Sequence, residues 1–409
     1  MTPCDRRSFL MHSAGAAAAI AIVPDLSRAA TFLGMAPLNI ALVGAGRQGR
    51  AILGELLKIE GCKVVAVCDT SDSRMQGGVR RVEGAEGFTD HKAMLEKRKD
   101  IQAVVIATPT HEHRQVVVDA LAAGKHVYCE APLAHTVEDA KAIAAAAAAA
   151  KTVFASGFEG RSNPVYKLAR TFFKSDAVRD FITADAYQHQ KLSWRYGGND
   201  IASPDNWRLN PKVTTGLPGE WGSHQFDVVR WYTDRRPVSV RGTGSVRFHK
   251  DGRDVADTVR CMVRFDDGTD MGYEATLANS YGGRYETLYG SNAAIKLSWT
   301  HGWMFKEADA PTQGWEVYAN RQQFHNDEGI TLIADATKLA SQGKLKDGVG
   351  LPFPSLYYAL NDFVNAAGAG KPPACSAAEG YASTVLGILA QKAVLTGDEI
   401  KIAESDLKL

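Results

Sequence analysis

The chain has 409 residues, 45% of them apolar and 23% charged; this exceeds what one hydrophobic core accommodates, so at least two domains are expected. Lysine plus arginine number 47 against 46 aspartates and glutamates, a formal net charge of +1. That balance gives no charge footprint for nucleic acid or an anionic membrane surface.

Residues 1–30 read as a bacterial export signal. Twin arginines (Arg6, Arg7) precede Phe9 and Leu10, a small-residue apolar run, and the cleavage-like Ser27-Arg28-Ala29. The run from Ala14 to Val23 is far below the roughly 20 residues that a bilayer span needs, so no stable span is expected. The pattern predicts transfer by the twin-arginine export machinery, which carries folded proteins, and a periplasmic location, with retention of the signal as an anchor the alternative. Cys4 leaves with this segment. Cys62, Cys68, Cys129, Cys261 and Cys375 remain, without metal-binding spacing, and read as buried free thiols.

Next comes a strand, Leu38 to Val43, followed at once by the turn Gly44, Gly46, Arg47, Gln48, Gly49. Apolar residues at helical spacing follow (Ile52, Leu53, Leu56, Leu57). The three glycines suit a tight turn, close backbone approach to a pyrophosphate, and close helix–strand packing. The free N–H groups at the helix start suit phosphate. The next strand ends on Asp69, twenty positions after Gly49, where a carboxylate binds ribose hydroxyls. That carboxylate repels a 2′-phosphate and favours NAD over NADP, with Arg74 as a partial offset. The alternation continues with a buried strand ending at Thr108-Pro109, a helix from His113 to Ala123, the strand HVYCE, a helix opened by Thr136, and the strand 152–158. Strands alternating with helices imply a doubly wound parallel sheet, with ligands beyond the carboxyl ends of its strands. Thr108, Pro109, His113, Glu130, Ala131 and Pro132 are thereby expected at the site. His111 and His113 lie too close together for a metal pair, and metal binding is rejected.

Gly-Ala-Gly-Arg-Gln-Gly, Ala-Thr-Pro-Thr-His-Glu-His and Gly-Lys-His-Val-Tyr-Cys-Glu-Ala-Pro, in this order and spacing, resemble the glucose–fructose oxidoreductase, inositol dehydrogenase and rhizopine-catabolism family (Gfo/Idh/MocA). The resemblance implies a Rossmann domain over 38–158 and a C-terminal α+β domain over 159–409 with an open, mostly antiparallel sheet that often mediates homodimers or homotetramers. Export of the folded protein to a compartment without an evident nicotinamide supply predicts tightly bound NAD(H). Glu130 takes a place near the nicotinamide ribose, and Pro132 shapes the turn, with a cis Ala131–Pro132 bond in view. Family members usually read Glu-Lys-Pro here, the lysine holding the reacting hydroxyl. This chain has Ala131.

All seven tryptophans lie at or beyond Trp194. Period-2 stretches mark several strands, with Asp267-Gly268 and Ser291-Asn292 at hairpin turns. Residues 354–396 read helical and are expected to pack back beside the first domain. In TGLPGEWGSHQFDVVRWY, Glu220, His224 and Asp227 lie at i, i+4 and i+7, one helix face. A histidine there suits removal of a hydroxyl proton as hydride leaves, with the carboxylates orienting it. The resemblance assigns catalysis to these three. Weaker substrate candidates are Arg161 in an Arg-x-x-Pro stretch, Lys191 as a replacement for the missing lysine, and Trp194, Trp207 and Trp221 as stacking surfaces against a bland reading as core. Tyr128, Tyr187 and His189 are further candidates to border the site.

These features predict an exported enzyme transferring hydride between NAD and a sugar, polyol or glycoside. A second reading is a glycosidase or lyase that oxidises the sugar transiently, eliminates across the glycosidic bond and returns the hydride. A third, a nucleotide-binding sensor without activity, is disfavoured by Glu220 and His224.

Overall fold

Uninterrupted Val, Ile and Ala runs form strands buried on both faces, as a sheet covered by helices on each side requires. In chain order the first domain is β1 (Leu38–Val43), α1 (Arg47–Leu56), β2 (Cys62–Cys68), α2 (Asp72–Val79), β3 (Glu86–Phe88), α3 (His91–Lys97), β4 (Ala103–Ile106), α4 (His113–Ala122), β5 (His126–Cys129), α5 (Val137–Ala149) and β6 (Phe154–Ser156). This computed structural model describes residues 37–409 except 197, 199, 315, 317–318, 325–326, 335–338, 340–341 and 345–348. The export signal expected over residues 1–30 therefore lies outside the described residues. The six strands are all parallel, in the order β3-β2-β1-β4-β5-β6. The order reverses between β1 and β4, which opens a crevice at their carboxyl ends. Segments α2, β3 and α3 are elements that the sequence pattern did not reveal; they are short, and β3 is only half-buried.

The second domain carries α6 (Pro164–Phe173), β7 (Phe181–His189), α7 (Ser223–Thr233), β8 (Pro237–Ser245), β9 (Thr258–Phe265), β10 (Asp270–Thr276), β11 (Arg284–Gly290), β12 (Ala293–Leu297), β13 (Gly302–Lys306), β14 (Arg321–Phe324) and β15 (Asp327–Thr331). After these come α8 (Ser355–Ala369), α9 (Ala377–Thr396) and β16 (Ile400–Lys401). The ten-stranded sheet has the order β14-β15-β13-β12-β11-β7-β10-β9-β8-β16, parallel only where β7 meets β10. Alternation sets its faces: Val259, Cys261, Val263 and Phe265 point into the core while Arg260, Met262 and Arg264 point out. The turns at Gly268 (φ +86°) and at Ser291-Asn292 join β9 to β10 and β11 to β12.

Gly370, left-handed at φ +62°, ends α8, and Pro372 and Pro373 keep the chain extended before Ser376 caps α9. Leu360, Phe363 and Val364 of α8 pack into the core against β1 and α1, and Tyr381 and Val385 of α9 join the core on the other face of the first sheet. The chain end thus fastens the two domains together and fixes the cleft between them.

Candidate active site

The glycine turn has three distinct steric roles. Gly44 has φ +94°, and a Cβ on it would meet Ala107 C at 2.6 Å; a Cβ on Gly49 would lie 1.8 Å from Gly44 O. A Cβ on Gly46 would meet nothing within 4 Å. That open volume faces the first turn of α1, where the amides of Arg47, Gln48 and Gly49 are not used by the helix. It is the volume a pyrophosphate needs, so the residues present fit a dinucleotide.

Asp69 Oδ2 accepts from Ala45 N–H (2.8 Å), and Oδ1 accepts from Ser71 N–H (2.9 Å) and Arg74 Nε (3.0 Å). The carboxylate thus shapes the glycine turn from the end of β2. Arg74 is held on it, and its Nη1 reaches Asp205 Oδ1 of the second domain at 2.6 Å. On the other side of the turn, Arg47 Nη1 donates to Tyr196 Oη at 2.9 Å. The segment around 196–208 therefore clasps the nucleotide domain at two points.

Thr108 follows β4 with its Oγ1 buried and without a partner, and Pro109 starts the short turn Thr110–Glu112. His113 departs from expectation. Its ring is buried, with Nε2 3.0 Å from Thr108 O and Nδ1 3.2 Å from Leu133 O, and burial lowers its pKa to about 4. Neutral, it donates to one of these two carbonyls and packs against the other, between two strand-end loops, so neither nitrogen is left for a ligand. Glu130 follows β5, and the Ala131–Pro132 bond is cis. Burial, with repulsion from Glu159, raises the Glu130 carboxyl to about 8, although hydrogen bonds from Gln48 and Tyr128 oppose the shift.

The opposite wall differs most from its expected form. Residues Pro218–Gly222 make a π-type turn before α7, so the simple i, i+4, i+7 spacing does not hold. Glu220 is buried and accepts from Thr215 Oγ1 (2.8 Å) and Thr110 Oγ1 (3.3 Å), with Arg208 Nε at 3.3 Å. Asp227 points elsewhere, accepting from Arg161 Nε (2.9 Å) and Nη2 (3.0 Å) and from Ser383 Oγ (2.7 Å). Arg161 also pairs with Glu379 of the α9 capping box. Neither carboxylate bonds to His224, so their expected direct part in catalysis is corrected. Glu220 holds the loop after β4, while Asp227 and Arg161 join α7 to α9.

His224 remains in the cleft. Burial lowers its pKa to about 3, helped by the positive charge of Arg284 and opposed by a hydrogen bond to the Ala131 backbone. Nδ1 has no partner. Donation to the Ala131 carbonyl, assigned to the other nitrogen because Nδ1 has no partner, leaves Nδ1 with a free lone pair. Position 131 thus still touches the histidine, through its backbone.

Three residues of the site were not singled out from the sequence. Glu159 lies just past β6, and Arg284 donates to it from Nη1 at 3.3 Å. Arg284 stacks on Trp299, its Cζ 3.2 Å from the ring centroid, and Trp299 lies edge-on to His224 at 6.3 Å. The strand-end rule that selected Glu130 also reaches Glu159; nothing local marks Arg284 or Trp299. The remaining candidates have partners of their own. Lys191 is exposed, with its ammonium 4.9 Å from the Phe248 ring. Trp194 is 2% exposed in the core and packs edge-on against Trp221. Trp207 contacts His111 and carries Arg208 on its face. Tyr187 stacks on Tyr285, and His189 sits by Glu274. Among the described residues, no three His, Cys, Asp or Glu side chains gather to hold a metal, and no helix is long and apolar enough to cross a membrane.

Two family models match the chain: the oxidoreductase family Gfo/Idh/MocA, NAD-binding Rossmann fold, over residues 38–158, and the Gfo/Idh/MocA C-terminal domain over 187–296. Levoglucosan dehydrogenase of Pseudarthrobacter phenanthrenivorans is 26% identical over 299 residues, 65% of this chain and 74% of that protein. Inositol 2-dehydrogenase of Acidothermus cellulolyticus is 29% identical over 264 residues, 64% and 73% of the two chains. Among solved structures, a levoglucosan dehydrogenase in complex with NADH and L-sorbose superposes with a TM-score of 0.72 at 21% identity, covering 90% of this chain and 100% of that one. An oxidoreductase domain protein from Kribbella flavida gives a TM-score of 0.72 at 22% identity, with the same coverage. At this identity the structural matches establish the shared fold.

Proposed function

Because the chain belongs to the Gfo/Idh/MocA family of NAD-binding oxidoreductases, we propose that it oxidises or reduces one carbon of a sugar, polyol or glycoside, with His224 moving the hydroxyl proton. Bound NAD supplies the hydride acceptor or donor. Gly46, the first-turn amides of α1 and Asp69 hold its pyrophosphate and ribose, and Glu130 lies on the nicotinamide side. The observation that carries the reading is the placement of His224: an unpartnered Nδ1, with the ring against the Ala131 backbone and edge-on to Trp299. Such a ring accepts the proton of a hydroxyl as hydride departs from the same carbon. The two dehydrogenases named above act on substrates of this class, which supports it.

The twin arginines support export of the folded protein to the periplasm through the twin-arginine machinery. The clasp of Arg47 on Tyr196 and Arg74 on Asp205 supports a cofactor that stays bound and a preference for NAD, because Arg74 is already paired with Asp69. Met262 and Tyr289 are exposed on the outward sheet face beside the stacked Tyr187–Tyr285 pair, which supports a homodimer or homotetramer.

A second reading, glycoside cleavage through transient oxidation, is favoured by Glu130 and Glu159, whose pKa values burial raises. Elimination needs a proton carrier near neutral pH, and a carboxyl held at about 8 is one. Purified protein assayed on free sugars and on aryl glycosides, following NADH and released phenol together, separates the two. NADH alone supports net oxidation and phenol without net NADH supports cleavage. Neither product on any sugar contradicts both.

A further inference from the structure

Arg284 opens β11 and, by strand alternation, points to the inner face of the sheet with Glu286. Its Nη1 donates to Glu159, and its plane lies on Trp299. Its Nε and Nη2 are out of solvent and have no hydrogen-bond partner. Glu286 does not take them: its oxygens accept from Tyr166 Oη (2.5 Å) and Trp299 Nε1 (3.1 Å).

The same edge of the guanidinium meets the two oxygens of a carboxylate in four other arginines, while Nε of Arg170 and of Arg195 goes to a backbone carbonyl. Arg161 gives Nε and Nη2 to the two oxygens of Asp227 at 2.9 and 3.0 Å. Arg98 does so with Asp100 (2.8 and 2.7 Å), Arg253 with Asp251 (2.8 and 2.6 Å), and Arg264 with Asp270 (2.8 and 2.8 Å). Two parallel N–H donors match the two oxygens of a carboxylate, a geometry that neither a hydroxyl nor a lysine ammonium reproduces. Arg230 Nε and Arg253 Nη1 are also buried without a partner, but among the described residues Arg284 alone leaves both donors of this edge unpaired, and such a pair points to a ligand.

We propose that the Nε/Nη2 edge of Arg284 receives a carboxylate carried by the substrate, so that this site is built for a sugar acid, a uronate or aldonate, in preference to a neutral sugar. The proposal rests on the reading of the cleft as a sugar oxidoreductase site. Trp299 supports the guanidinium from one side and Glu159 fixes its Nη1 end, so the free edge has a set direction. His224, edge-on to the same Trp299 ring, lies beside it to meet a hydroxyl of the same ligand. Glu130, held near 8 by burial and Glu159, is uncharged at neutral pH and does not repel an anion. Arg284 also supplies a cation to a site whose usual lysine position is Ala131.

The test is calorimetric binding to the NAD-loaded protein of matched pairs: galacturonate against galactose, glucuronate against glucose, and gluconate against sorbitol. Methyl glucuronide against methyl glucoside tells a glycoside end from a free acid. At least one acid should bind about 10- to 100-fold more tightly than its neutral partner, the range expected for hydrogen bonds to a charged group. Arg284→Gln should bring that ratio to about one. Arg284→Lys, which keeps charge but loses the fork, should lower it about tenfold. Neutral members binding as well as the acids, no member binding, or an undiminished preference in both variants overturns the proposal. If Arg284→Gln does not fold, the native pairs and Arg284→Lys still decide. Acids that bind selectively without any NADH or cleavage product sink the oxidoreductase reading alone. Turnover confined to neutral sugars sinks the carboxylate site alone.

Discussion

The two walls of the cleft are assembled in different ways. On the nucleotide side each group stands at the end of a parallel strand, within a few residues of a glycine, proline or helix start that places it: Gly46 before α1, Asp69 after β2, Thr108 after β4, Glu130 after β5. On the other side the groups come from four distant pieces of chain: Glu159 past β6, His224 in α7, Arg284 in β11 and Trp299 after β12. There the position of each depends on packing among domains, and the ion pair of Arg161 with Asp227 and Glu379 ties that packing to α9. The difference teaches that the cofactor wall tolerates change locally, whereas the substrate wall transmits it.

The largest effect expected separates ligand space from fold space. Gly46→Leu should abolish measurable NAD binding while leaving the melting temperature of the ligand-free protein nearly unchanged. Its φ is an ordinary −64° and its Cβ meets nothing. A large fall in melting temperature would show that Gly46 is structural. Next, Asp227→Asn should destabilise the protein by about 3–5 kcal/mol, because it breaks a buried bidentate pair. Glu220→Gln, which keeps its threonine donors, should cost about 1 kcal/mol. Denaturant titration of both variants checks the contrast, and equal losses would place the two carboxylates in the same role.

Glu220 and Asp227 also show where sequence reading stops. Spacing put them on one face with His224, but the π-type turn at Pro218–Gly222 changes the spacing, and long-range donors from Thr110, Arg161 and Ser383 take the carboxylates. Gly44, Gly49, Asp69 and the alternation of strand and helix were legible because their causes are local sterics and periodicity. Arg284 and Trp299 were not, since a sheet residue's partners lie across the fold and leave no mark in neighbouring sequence. His113 was misread because a strand-end position says nothing of whether the ring points up to a ligand or down between two carbonyls.

Protonation gives a smaller but sharper contrast. His113 and His224 have folded pKa values of about 4 and about 3 against 6.5, so the unfolded chain binds protons that the folded chain does not. Stability should fall on acidification from pH 6.5 to about 4. Glu130 acts in the opposite sense: its carboxyl at about 8 against 4.5 keeps a proton in the folded chain, and stability falls as pH rises to about 8. Between 4.5 and 6.5 the two histidines outweigh it, so the joint contribution of these three groups should be greatest near pH 6.5. The limbs should slope by roughly 1.4 kcal/mol per pH unit for each net proton. Glu130→Gln should remove the alkaline fall and steepen the acid one between pH 4.5 and 6.5. An unchanged alkaline limb would mean that Glu130 is already ionised. Smaller again, Asp69→Ser should narrow the ratio of NAD to NADP affinities by about tenfold, or 1.4 kcal/mol. A constant ratio in titrations with both cofactors would remove Asp69 from the ribose site.

The account turns on His224 as the group that moves the proton. The most direct measurement is turnover of His224→Ala, beside its NAD affinity, on whichever sugar the native protein accepts. Loss of a general acid–base group predicts a fall in kcat of about 10²–10⁴ with NAD affinity unchanged. Turnover within a few-fold of the native protein, or a loss explained by failure to bind NAD, would contradict it.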